Sequence, residues 1–69
     1  MVEVFRTNVQ KRREAKKILS SLSSSYPAFA INFDLQDCDK VLRIEGKAIQ
    51  SSEIIKMMKE SGYCCEVLQ

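Results

Sequence analysis

Histidine is absent from this chain of 69 residues, glycine occurs twice and proline once. Without histidine, the side chain most often used for proton transfer and a principal zinc ligand are both missing. Two isolated glycines, Gly46 and Gly62, exclude a glycine-rich loop of the kind that cradles phosphates. No nucleophile stands with a recognisable base. The sequence therefore predicts a protein that is not an enzyme.

Long apolar runs are missing as well. No stretch approaches the length needed to cross a bilayer, and the first residues lack the basic, apolar and small-residue order of a signal peptide. These features lead us to expect a cytoplasmic protein. Three cysteines cannot all pair within one molecule, and in a reducing compartment they stay free.

The apolar fraction of 45% with charges of both signs is that of a globular chain, read as one domain over residues 1–69. A chain this short buries only about 60% of the surface it exposes when unfolded, so it has room for one small core. The net charge of +2 divides unevenly, with +4 in residues 1–30 and −2 in the remainder. That basic first half favours an acidic partner locally, yet falls short of the basicity of a nucleic-acid-binding domain.

Met1 to Thr7 is rich in β-formers, with Val2 and Val4 on one side and Glu3 and Phe5 on the other, and alternation leaves open which side is buried. Asn8 is a candidate cap for a helix whose Ala15, Ile18, Leu19 and Leu22 follow the i, i+3, i+4, i+7 stripe. Serines 20, 21, 23, 24 and 25 and then Pro27 predict that this helix ends near Ser23.

Ile31 to Gly46 reads as a hairpin, Ile31, Phe33 and Leu35 alternating on one strand and Leu42 and Ile44 on the other. A second helix is predicted from Ser51 or Ser52, either serine capping it, with Glu53 suited to its positive end and Gly62 placed to stop it. Tyr63 to Leu68 reads as a last strand, Cys65 and Val67 on one side, Cys64 and Glu66 on the other.

The order β-α-β-β-α-β closes most simply as a ferredoxin-like α+β sandwich, a four-stranded antiparallel sheet with both helices on one face. Right-handed crossovers give the strand order 4-1-3-2. The start of helix 1, the hairpin turn and the junction before strand 4 then share one end of the molecule. An RNA-recognition sheet needs aromatics on its central strands, and VLRIE has none, so nucleic acid is not an expected partner.

With INFDL…KVLRIEG and EIIKMMKESGYCCEVL so placed, the chain resembles the heavy-metal-associated domain family of small copper chaperones and of N-terminal modules of copper- and zinc-transporting ATPases. More narrowly, FRTNV and NFDLQDCD resemble tracts of small bacterial members. The resemblance implies the same fold and a metal-handling, non-enzymatic role. Metal-carrying members bind a soft ion through a Cys-x-x-Cys pair in the first loop, where two thiolates converge and deprotonate easily. Here that pair falls on Lys11 and Glu14, or in a register with Phe5 buried on Gln10 and Arg13, and neither register supplies a cysteine. Acylphosphatases share the architecture, but their phosphate-binding loop has no counterpart in TNVQKRRE.

Two candidate sites remain. Cys38 between Asp37 and Asp39 joins a soft ligand to two hard ones at a turn, with Cys64 at the same end of the molecule. Cu(I) or Zn(II) are the ions to expect there, although without histidine the set matches no strong metal pattern. Strands 2 and 4 lie three spacings of about 4.8 Å apart, a separation of roughly 14 Å that argues against Cys38 and Cys64 sharing an ion unless the turn bends over. Cys65 reads as a small core residue. The second candidate is Lys11, Arg12 and Arg13, in the first turn of helix 1 where positive charge opposes the macrodipole. These residues suit an acidic protein partner, or an anion held at the helix amides.

Overall fold

The computed structural model describes residues 1–68. Six elements follow in order: β1 (Val2–Thr7), α1 (Arg12–Ser25), β2 (Ala30–Asp34), β3 (Val41–Glu45), α2 (Ser51–Glu60) and β4 (Cys65–Val67). The sheet is antiparallel with order β2-β3-β1-β4, which is 4-1-3-2 read from the other edge. Helix α1 lies against β2 and α2 against β4.

The face of β1 that sequence alternation left open is the one carrying Phe5 and Thr7. Phe5 stands opposite Leu42 in the β1–β3 ladder, and both side chains are fully buried. Around this pair gather Ile44 of β3, Ala15, Ile18 and Leu22 of α1, and Ile54 and Met58 of α2. Full burial of each large side chain among them, Phe5, Leu22, Leu42, Ile44, Ile54 and Met58, contributes about 1.5–3 kcal/mol, so the sandwich is held chiefly by this one cluster. Val9 and Ile49, just outside the regular elements, are also buried and pin the connecting loops to the core.

Several local boundaries differ from those the sequence suggests. Helix α1 begins later than an Asn8 cap requires: Lys11 is the cap residue, and Asn8 accepts a hydrogen bond from elsewhere in the chain. It also runs past Ser23 to Ser25, because the serines lie on its exposed face while Leu22 holds the buried one and accepts the closing bond from the Tyr26 N–H at 2.8 Å. Leu19 is only half-buried, at the margin of the helix's apolar face.

Gln50, rather than Ser51 or Ser52, stands at the cap of α2, its carbonyl accepting from the Glu53 and Ile54 amides. Gly62 closes α2 as expected, in the left-handed region at φ 92°. The last strand is shorter than Tyr63–Leu68, because the Tyr63 N–H turns back to the Met58 carbonyl and the Cys64 N–H donates to a side chain.

Candidate functional site

Three connections meet at one end of the sheet: the β1–α1 loop, the β2–β3 turn and the α2–β4 junction. Thr7, the last residue of β1, organises them. Its N–H donates to the Asp39 carbonyl at 3.0 Å, and its buried hydroxyl donates to the Lys40 carbonyl while accepting the Val9 N–H at 3.3 Å. On its other side Thr7 pairs with Cys65 in the β1–β4 ladder.

The acidic turn is built from its own side chains. Asp34 Oδ1 accepts the Gln36 N–H, and Asp37 Oδ1 accepts the Asp39 N–H at 2.9 Å, the local bonding that makes aspartate a turn residue. Lys40, at φ 48°, turns the chain back into β3, its N–H donating to the Asp37 carbonyl and its ammonium to the Leu35 carbonyl at 2.9 Å. Asp37, Cys38 and Asp39 thereby bring one ligand atom each to within 4.8 Å of one another.

Because Asp39 bonds to Thr7, the end of the turn lies beside β1 rather than out at the β2 edge. The three-strand separation drawn from strand order is thus too long for this part of the turn. Asp39 and the start of β4 are separated by two spacings, roughly 10 Å, with β1 between them. Arg6 bridges that gap on the open face. Its Nε lies 3.3 Å from Asp39 Oδ1, and its Nη1 lies 3.1 Å from Oε1 of Glu66, its direct cross-strand partner. Nothing in the periodicity singles out Arg6 for this, since only pairing across two strands reveals it.

Cys38 and Cys64 are exposed and Cys65 is half-buried, so the adjacent cysteines do point opposite ways. Cys64 is fixed by its backbone, which donates to Asn8 Oδ1 at 2.9 Å and so ties the first loop to the start of β4. Burial, with a smaller contribution from the Glu66 charge, pushes the Cys65 thiol up to about 12. That half-buried thiol, packed against the core cluster, is not a ready ligand.

Around the first loop the donor set differs sharply from a soft-metal site. Glu14 Oε1 accepts the Lys11 N–H at 3.1 Å and the Gln10 N–H at 3.4 Å. This is the returning half of a capping box; a lysine ammonium has no acceptor with which to complete the other half. The carboxyl of Glu14 is held below its ordinary range, chiefly by the Lys11 amide and further by the Tyr63 phenol. Burial, and then Glu14, raise the Tyr63 phenol in turn. An internal carboxylate therefore occupies two amides that an external anion would use. Neither Lys11 and Glu14 nor Gln10 and Arg13 offers a thiolate, and the ammonium and guanidinium groups would repel a cation.

Arg12 and Arg13 are exposed and, with Lys16, border a groove of about 560 Å³ between α1 and β2. Among the described residues, both ion pairs of the molecule belong to Arg6, so these three cations stand unpaired.

No protein-family model and no curated protein matches the chain. Among solved structures, the yeast copper transporter domain Ccc2a, determined in solution in its apo and Cu(I)-loaded states, matches with a TM-score of 0.81. The match covers 99% of this chain and 94% of the yeast domain at 11% sequence identity, so the two have the same fold.

Proposed function

We propose that this chain is a non-enzymatic, metal-handling domain of the heavy-metal-associated kind, a divergent member that takes Cu(I) or Zn(II) at the hairpin turn instead of the first loop. The observation that carries the reading is the convergence of Asp37, Cys38 and Asp39 within 4.8 Å at the end that also holds Cys64. The shared fold with a domain described in a Cu(I)-loaded state supports it. One thiolate with two carboxylates suits zinc better than Cu(I), which would draw on Cys64 for a second soft ligand. Binding through Asp39 would release it from Arg6.

Anaerobic titration of the reduced protein with Zn(II) and with Cu(I), followed by amide shifts, tests this. Stoichiometric binding with shifts at residues 37–39 and 64 is the expected result. An ion that glutathione removes at cellular concentration would end the reading.

A second reading is favoured by the unpaired Arg12 and Arg13 in the first turn of α1: a protein-interaction module whose basic helix start, Lys11, Arg12 and Arg13, meets an acidic partner. Reversing the charge at Arg12 and Arg13 should then abolish salt-sensitive recovery of an acidic protein on the immobilised domain. Undiminished recovery would count against it.

A further inference from the structure

The groove beside α1 has an unusual lining on its sheet side. Asn32, Phe33, Asp34, Leu35 and Gln36 all border it, five successive residues. The first three belong to β2 and the last two to the turn that follows it; successive strand residues face opposite ways, so a cavity touching Asn32, Phe33 and Asp34 alike opens onto the backbone edge rather than onto one face. That edge belongs to β2, the end strand of the sheet, which is paired only to β3. In an antiparallel ladder alternate residues direct their N–H and C=O groups away from the partner, so β2 presents unpaired main-chain groups along its outer side.

Two common protections of an edge strand are missing, since AINFD contains no lysine and no proline. Leu19, Phe33 and Leu35 are half-buried and give the groove an apolar strip, while Arg12, Arg13 and Lys16 supply three positive charges against the single carboxylate of Asp34.

We infer that the β2 edge and this groove form a docking site for an extended acidic peptide segment that adds as a fifth strand. Its backbone pairs with β2, an apolar side chain lies on Leu19, Phe33 and Leu35, and its carboxylates meet Arg12, Arg13 and Lys16. Main-chain bonding supplies affinity, and the charges select the partner. A second copy of this chain is the poorer occupant, because edge-to-edge pairing would set two such cationic clusters against each other. The inference rests on the interaction reading above and adds to it the place and the mode of contact.

The test uses the full isotope-labelled chain and a synthetic nine-residue peptide alternating glutamate with valine and phenylalanine. Amide shifts are expected at residues 30–36 and along residues 12–19, weakening as salt rises. The lysine counterpart of the peptide should give none. Reversal of both exposed arginines, Arg12→Glu with Arg13→Glu, should weaken binding on the order of tenfold.

Two further peptides, N-methylated at odd or at even positions, keep every side chain but block alternate backbone hydrogen bonds. Strand addition requires that one of them lose binding. Equal binding by both, with the charge dependence intact, overturns strand addition and leaves the basic-face reading standing. No shift at millimolar peptide overturns the docking site itself, as does concentration-dependent self-association through residues 30–36 without peptide.

Discussion

The Thr7 N–H donates to the Asp39 carbonyl at 3.0 Å, so the last residue of β1 holds the acidic turn against the centre of the sheet. The Thr7 hydroxyl completes the tie, donating to the Lys40 carbonyl and accepting the Val9 N–H. Valine at this position would keep the shape and lose both bonds. The Val9 amide lies in buried surroundings, and an orphaned buried donor costs about 1–3 kcal/mol. Thr7→Val should therefore lower stability by about that amount in urea denaturation, with faster hydrogen exchange at Val9. An unchanged midpoint would show that the hydroxyl is replaceable by water.

Arg6 offers a sharper probe of the turn as a metal site. Its side chain is about half exposed, and surface ion pairs contribute roughly 0–1 kcal/mol, so Arg6→Ala should leave stability nearly unchanged. It removes a cation 3.3 Å from Asp39, however, and frees that carboxylate. If Asp39 is a ligand, Zn(II) affinity should rise in the variant, measured by competition with a chromophoric chelator. Equal or weaker affinity would remove Asp39 from the ligand set.

The parts of this molecule legible in the sequence are those set by local pattern. Alternation in INFDL and VLRIE marks the hairpin, and the spacing of Ala15, Ile18 and Leu22 marks α1, which is enough to reach the strand order. Boundaries were less legible because side chains found other partners: Asn8, a suitable cap in isolation, serves the Cys64 amide 56 residues away. The buried face of β1 was ambiguous because valines on one side compete with Phe5 on the other, and only the Phe5–Leu42 pairing decides it. For the candidate site, the ligating residue types can be read directly from Asp37-Cys38-Asp39. The position of that turn beside Thr7 depends on a contact between residues 32 positions apart, and no local rule contains it.

Glu14 gives the capped loop a pH dependence of known sign. Its carboxyl titrates below its ordinary value in the folded protein, first because of the Lys11 amide. A lowered folded pKa means that the group contributes stability above its unfolded value, near 4.5, and loses it as pH falls through the lower folded value. Glu14→Gln should flatten that part of the acid limb in thermal midpoints measured from pH 7 to pH 3. A parallel offset at every pH would mean that the carboxylate's charge plays no part. The same substitution should return the Tyr63 phenol toward its usual value, because Glu14 contributes to raising it.

The three cysteines should separate by reactivity according to where the sheet places them. Cys38 and Cys64 are exposed, whereas the Cys65 thiol is half-buried and raised to about 12, chiefly by burial. Since the thiolate is the nucleophile, iodoacetamide at pH 8 should modify Cys38 and Cys64 and spare Cys65 until the chain unfolds, as read by peptide mass spectrometry. The linked stability has the opposite sign to that of Glu14. A raised folded pKa contributes fully below the unfolded value, near 9, and is lost as pH climbs toward about 12. Cys65→Ala should therefore remove part of the alkaline destabilisation while lowering stability near neutrality through lost packing. Rapid modification of Cys65 in the folded protein would place its thiol outside the core and remove the argument for treating it as structural.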